Sequence, residues 1–124
     1  MEIIKTDKAP AAIGPYVQAV KTGNLLFCSG QIPLKADGTL VAGYVKDQAK
    51  QIMENLKEVL VAAGTSFEKA VKCTIYLVDM SDFATVNEVY GSYFVGEHRP
   101  ARVTVAVAAL PKGAKVEIDC VAEV

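Results

Sequence analysis

Arg102 and Glu117 are the two side chains whose types and setting point most directly to chemistry. An arginine presents a rigid fork of N–H donors that fits a carboxylate, and it keeps its charge when it is desolvated. A partly desolvated glutamate can hold a water molecule and take a proton from it. Together they could bind a small organic acid and hydrolyse it. Judged from these residues alone, a simple ion pair between the two, or with groups at an interface, remains an open alternative.

Other kinds of site find little support in the sequence. The single histidine, His98, precedes Arg99-Pro100 and is interpreted as a loop residue. The three cysteines are widely spaced, lie in apolar runs and form no C-x-x-C motif, which predicts reduced core thiols rather than a disulfide, a metal site or a catalytic thiolate. Neither a phosphate-binding loop nor a dinucleotide fingerprint occurs. We therefore predict no metal and no cofactor. The cysteines are Cys28, Cys73 and Cys120.

The composition is that of an ordinary globular chain. It has 124 residues, of which 52% are hydrophobic and 22% charged, and its net charge of −1 argues against a nucleic-acid partner. This length predicts a single domain over residues 1–124. The N-terminus lacks an apolar leader, and the longest uncharged apolar stretch, "VTVAVAALP", is too short to span a bilayer. We expect a cytoplasmic protein without membrane attachment.

The periodicity of apolar residues predicts two helices. The first begins at Val45, keeps helical spacing for about five turns and ends before Gly64. The second is expected to be capped by Ser81 or Asp82 and to run to Gly96. Its apolar stripe is predicted to pack in the core and consists of Phe83, Val86, Tyr90, Tyr93 and Phe94.

Alternating segments around these helices predict the strands. Residues 2–5 and 17–29 read as a short strand and a hairpin, and "AVKCTIYLV" as a strand between the helices. The last two strands, joined by the turn "LPKGA", are predicted to form a terminal hairpin. The fold class is therefore α+β, with a single mixed sheet covered on one face by two helices.

Side-chain alternation predicts which residues point away from the helix-covered face. In "ARVTVAVA" the valines at 103, 105 and 107 are expected to face the core. The opposite, uncovered face is then expected to carry Arg102, Thr104, Ala106 and Ala108, joined by Glu117 from the last strand. Small residues there would let a second subunit approach closely, which predicts a homo-oligomer.

Several stretches, spread over nearly the whole chain, resemble the RidA/YjgF family of reactive intermediate deaminases. The last stretch is the most specific, because it joins P-A-R to a downstream V-E-I at matching spacing. The matching stretches are "AIGPYVQAV", "LLFCSGQIPL", "NLKEVLVAAG", "CTIYLVDMSDFATVNEVY" and "RPARVTVAVAALPKGAKVEID".

The resemblance implies a chorismate-mutase-like α+β fold and a homotrimer around a central barrel, with clefts between subunits and no cofactor. It also implies hydrolysis of the 2-imino and enamine acids released by pyridoxal-phosphate enzymes, such as 2-aminoacrylate and 2-iminobutyrate, to 2-keto acids and ammonia. By motif, Arg102 would hold the substrate carboxylate, Glu117 would position the attacking water, and the backbone at Thr104 would orient the imine nitrogen. The motifs also place four further residues at the cleft: Tyr16, Ser29, Gly30 and Asn87.

Two positions depart from the common pattern of the family. Val17 stands where many members have serine, which could loosen a hydrogen bond near the cleft, and Val103 stands where serine often follows the arginine. Val103 is expected on the core face, where the change should matter little.

Three other activities stay open from the sequence. The same cleft could serve a non-catalytic 2-keto acid sensor that contacts another protein. An RNA-cleaving inhibitor of translation is less compatible with the net charge of −1. Nothing in the sequence tests a chaperone-like surface activity.

Overall fold

The computed structural model describes residues 1–124 and contains one six-stranded mixed sheet. The spatial order of the strands is β1-β2-β3-β6-β4-β5, and all neighbours are antiparallel except β4 and β5, which are parallel. The strands are β1 (Glu2–Ile4), β2 (Ala19–Thr22), β3 (Leu25–Gln31), β4 (Ala70–Leu77), β5 (Ala101–Ala106) and β6 (Val116–Glu123).

Two helices, α1 (Val45–Ala62) and α2 (Phe83–Gly91), pack on one face of this sheet. The apolar stripe of α1 is fully buried, because residues such as Ile52, Leu56 and Leu60 recur at helical spacing and meet the sheet. Gly64 follows the helix with φ of 79°, a left-handed conformation that glycine adopts without steric cost. The predicted α+β class, with one mixed sheet and two helices, is confirmed.

The second helix is shorter than predicted. It ends at Gly91, and Tyr93 and Phe94 lie in the following turn, where they still pack against the core. Asp82, one of the two predicted caps, occupies the N-cap position, but its side chain makes no capping hydrogen bond. The side chain of Asp79 instead accepts a hydrogen bond from the Ser81 amide at the start of a 3₁₀ turn before the helix. Aromatic residues at helical spacing marked the buried face correctly but did not mark where the helix stops.

The predicted terminal hairpin is wrong. β5 pairs only with β4, in parallel, and β6 crosses over to lie between β3 and β4. The unit β4-α2-β5 is a parallel strand-helix-strand connection, which needs the helix as its crossover. The segment "LPKGA" contains a 3₁₀ turn, Pro111–Gly113, and connects the edge strand to the centre of the sheet.

The register places Arg102 on the helix-covered face, contrary to the prediction. Arg102 pairs with Cys73 and Thr104 pairs with Ile75, both of which are buried beneath the helices. Ala106 pairs with the buried Leu77 and shares this face. The error has a simple cause: alternation separates the two faces of a strand but does not say which of them is covered.

The valines predicted for the core lie on the uncovered face instead. Val103 is 43% exposed and Val105 38% exposed on this face, and Phe27 of β3, also there, is 46% exposed. Val103, at one of the two departures from the family pattern, is therefore not in the core. An uncovered sheet face with large apolar side chains is typical of a surface that another subunit covers. The homo-oligomer stays a prediction, now supported by these residues rather than by small ones.

The three cysteines lie in one row across the middle of the sheet. Cys28 is directly opposite Cys120, and Cys120 is directly opposite Cys73, on β3, β6 and β4. All three are buried free thiols, as the sequence predicted. Burial, reinforced by the neighbouring Cys73, raises the pKa of the Cys28 thiol to about 12. None of the helices is both long and apolar enough to pass through a lipid bilayer.

Candidate functional site

The guanidinium of Arg102 lies against one face of α2. Its Nη1 donates a 2.6 Å hydrogen bond to Oδ1 of Asn87, and its central carbon lies 5.5 Å from the ring centroid of Phe83 and 5.2 Å from that of Tyr90. Residues 83, 87 and 90 share one face of a helix because they are spaced by four and three. The parallel pairing of β4 and β5 brings Arg102 to this face.

Two buried hydroxyl groups lie in the same part of the fold. Oγ1 of Thr104 and the phenol oxygen of Tyr90 are the only buried side-chain polar atoms without a hydrogen-bond partner. Burial, with Cys73 alongside, raises the pKa of the Tyr90 phenol, so this group stays neutral. Unpartnered buried polar groups are uncommon in native proteins, and a catalytic role is one of several explanations for them.

Glu117 lies on the other, uncovered face of the sheet. It is half-buried on β6, and its pKa is raised, first by desolvation and second by the negative charge of Asp119. Its carboxylate rests directly against the backbone of Gly30, where a methyl group would overlap Oε2. A glutamate in this state can exchange protons with water nearer neutral pH than an exposed one.

The remaining predicted residues of the N-terminal half lie on the same side as Glu117. Gly30 and Tyr16 line a cleft of about 290 Å³, together with Lys112 of the last turn. Oγ of Ser29 donates a 2.6 Å hydrogen bond to the backbone carbonyl of Val17, which ties β3 to the loop that carries Tyr16. The side chain at position 17 is not needed for this bond.

The predicted site residues thus form two clusters on opposite faces of one sheet. The first, the arginine cluster, is Asn87, Arg102 and Thr104; the second, the glutamate cluster, is Tyr16, Ser29, Gly30 and Glu117.

Strand geometry keeps the two clusters apart within one chain. Arg102 is on β5 and Glu117 is on β6, and these two strands are two inter-strand spacings apart because β4 lies between them. Along the strands, Glu117 is level with Val105, which is three residues beyond Arg102. The Cα atoms of Arg102 and Glu117 are therefore about 14 Å apart, with side chains on opposite faces. A single copy does not place both on one small acid.

The chain matches the family model described as "Endoribonuclease L-PSP" over residues 6–124. It is 52% identical over 122 residues to the mouse protein named 2-iminobutanoate/2-iminopropanoate deaminase, covering 98% of this chain and 90% of that protein. It belongs to the RidA/YjgF family.

Further members of the RidA/YjgF family extend the similarity. A RutC family protein of Pyrococcus horikoshii is 52% identical over 98% of this chain and 96% of its own length. Among solved structures, E. coli TdcF with bound serine superposes with a TM-score of 0.95 at 44% identity, covering 100% of this chain and 99% of that one. These matches show the family and the fold. The names of the relatives differ, since one names a deaminase activity and another only a family.

The sequence did not predict that two aromatic residues of this RidA/YjgF chain contact Arg102. Phe83 and Tyr90 were interpreted as core residues of the second helix, and Tyr90 is indeed buried. Both also present their rings to Arg102. Their spacing around Asn87 was visible in the sequence, but only the parallel placement of β5 shows that Arg102 faces them.

Proposed function

We propose that this protein hydrolyses 2-imino acids, and the enamines in equilibrium with them, to 2-keto acids and ammonia without a cofactor. In the balanced reaction, water adds to the carbon of the C=N bond, and the C–N bond of the resulting carbinolamine breaks to release ammonia. The substrates would be small, such as 2-iminobutyrate and 2-iminopropionate, the tautomer of 2-aminoacrylate. The curated mouse relative is named for this activity at 52% identity.

One observation carries the proposal most directly, namely the state of the Arg102 guanidinium. It is exposed, it is held by Asn87 and two aromatic rings, and no carboxylate of the chain pairs with it. The ion pair with Glu117 that the sequence left open is not formed within one chain. An arginine fixed in place with free donors is suited to a carboxylate ligand.

Glu117 would act as the base. Desolvation raises its pKa, so that it can accept a proton from the attacking water and pass it to the imine nitrogen. It would then transfer the hydroxyl proton of the carbinolamine to the same nitrogen as ammonia departs. The imine of a 2-keto acid is already electrophilic, so orientation and one base are sufficient to accelerate its hydrolysis. The backbone at Thr104 would orient the imine nitrogen.

We place the reaction in a cleft between copies of the chain. The arginine cluster of one subunit would meet the glutamate cluster of its neighbour, since neither cluster reaches the other within one subunit. The apolar side chains of the uncovered face, including Phe27, Val103 and Val105, would be buried in the same assembly. In a homotrimer around a central barrel, three such clefts would form.

The first test is the fate of 2-iminobutyrate generated in situ by a threonine dehydratase and trapped with semicarbazide. The wild-type protein should suppress trapping and accelerate formation of 2-ketobutyrate. Failure to do so at stoichiometric enzyme would overturn the proposal.

A 2-keto acid sensor is the second candidate, because the same arginine would bind the product carboxylate. The bound serine in the TdcF structure, with a carboxylate beside a nitrogen-bearing carbon, is compatible with either role. Binding of 2-ketobutyrate without turnover would favour the sensor. The RNA-cleaving activity suggested by the family model's description is less favoured, since the chain carries net charge −1.

Replacing Gly30 by alanine should lower activity with little loss of stability. The added methyl group would overlap Oε2 of Glu117, at the end of a flexible side chain that can move away cheaply. We expect kcat to fall about tenfold or more as the base leaves its position, while the thermal midpoint stays near that of wild type. Gly91→Ala is a matched control, because a methyl group there meets nothing. Unchanged kcat in Gly30→Ala would contradict the placement of the base.

A further inference from the structure

The face of α2 that meets Arg102 contains more than the asparagine. Phe83, Asn87 and Tyr90 follow one another at intervals of four and three residues and all contact the guanidinium. Tyr90 is buried and Phe83 is only partly buried, so one ring belongs to the core and the other reaches the surface. Family motifs matched Asn87 to the cleft but gave the two rings no function.

A single hydrogen bond does not fix a guanidinium. The bond from Nη1 to Asn87 fixes only one nitrogen, so the guanidinium plane could still rotate about that contact. Two rings with centroids 5.5 and 5.2 Å from the central carbon restrict this motion, because a guanidinium prefers the face of an aromatic ring. A carboxylate that binds through both oxygens needs the plane of the guanidinium, as well as its charge, to be set.

We propose that Phe83 and Tyr90 are positioning residues for Arg102, which fix the plane of its guanidinium before the substrate carboxylate arrives. This inference rests on the proposed function in so far as the carboxylate belongs to a 2-imino acid. In this arrangement α2 holds the guanidinium through three residues, of which only the asparagine is polar. The rings would act on ligand affinity through Arg102 and would touch no reacting atom.

Phe83 is the residue to change, because it is partly exposed, whereas removing the buried ring of Tyr90 could unfold the core. Phe83→Leu keeps an apolar side chain without a ring, and Phe83→Tyr restores the ring. We expect Phe83→Leu to weaken 2-ketobutyrate binding and raise KM for 2-iminobutyrate by about 3- to 30-fold, with a much smaller change in kcat. Phe83→Tyr should return both constants close to wild type.

A double-mutant cycle with Arg102→Lys separates positioning from a general structural role. A lysine ammonium is a point charge without a plane, so Phe83→Leu should cost less affinity in that background than in wild type. An equal loss in both backgrounds would overturn the inference, as would wild-type affinity in Phe83→Leu itself. The thermal midpoints of all variants are measured in parallel, and NMR of the Arg102 side-chain Nε–H should report greater mobility in Phe83→Leu.

The outcome also separates this inference from the proposed function. Wild-type protein that binds 2-ketobutyrate without hydrolysing any imine would overturn the proposed deaminase activity. A selective loss of binding in Phe83→Leu would still support the positioning of Arg102 by the two rings. If the wild-type protein is active and Phe83→Leu binds 2-ketobutyrate as wild type does, only the positioning of Arg102 by the rings is overturned.

Discussion

Arg102→Ala is expected to lower kcat/KM for 2-iminobutyrate by about 100- to 1000-fold, the effect of losing a charge-assisted pair of hydrogen bonds. The guanidinium is exposed and faces no competing carboxylate within the chain, so its interaction with a substrate carboxylate is lost in full. Initial rates of 2-ketobutyrate formation over a range of imine concentrations measure the effect. Most of it should appear in KM, since the carboxylate is held equally in the ground state and the transition state.

Arg99→Ala is the matched control for this substitution. Arg99 lies three residues upstream, and its Nη1 donates to the carbonyls of Gly96 and His98 rather than to α2. We expect its kinetic constants to stay within about twofold of wild type, as is usual for a surface substitution. Equal losses in the two variants would point to general electrostatics, and an active Arg102→Ala would show that the carboxylate is held elsewhere.

Glu117→Gln is expected to reduce kcat by about 10²–10⁴-fold, the range for removing a general base, with a small change in KM. The amide keeps the size of the side chain against Gly30 but cannot take a proton. Single-turnover rates at saturating imine measure the step directly. A kcat near the wild-type value would assign the base to another group.

The pH dependence carries a separate prediction about Glu117. The base works as the carboxylate, so kcat should fall as the pH decreases through its pKa, which lies above the usual 4.5 because of desolvation and then Asp119. Removing the neighbouring charge in Asp119→Asn lowers this pKa, and the acid limb should move to lower pH. A shift in the opposite direction, or an acid limb that persists in Glu117→Gln, would mean that another group controls the profile.

Much of the fold followed from the sequence because its periodic segments are strong. The stripe of α1 and its ending at Gly64 are local properties of the chain, and local patterns suffice to predict them. The position of β6 between β3 and β4 is a non-local pairing that no local pattern encodes. The terminal hairpin was therefore the natural but incorrect prediction, since neighbouring strands usually pair.

The site was predictable as a set of residues but not as an arrangement. The motifs singled out Arg102 and Glu117, and alternation assigned them to one shared face. That assignment assumed that the valines of β5 face the helices, whereas the register of β5 with β4 places Arg102 and Thr104 there. Val103 and Val105 therefore lie on the other face, where they are exposed. An apolar face that another subunit could cover looks, in sequence, the same as a core face.

In the proposed assembly, each active site combines Arg102 of one subunit with Glu117 of another. The test unfolds Arg102→Ala and Glu117→Gln together at equal concentrations and refolds the mixture. Activity is then assayed at an imine concentration well below the wild-type KM, where each variant alone is nearly inactive. Random assembly would give about a quarter of the clefts both wild-type residues, so about a quarter of the wild-type activity should return, although each variant refolded alone stays inactive. If the mixture remains as inactive as its components while the subunits demonstrably exchange, the shared site is wrong.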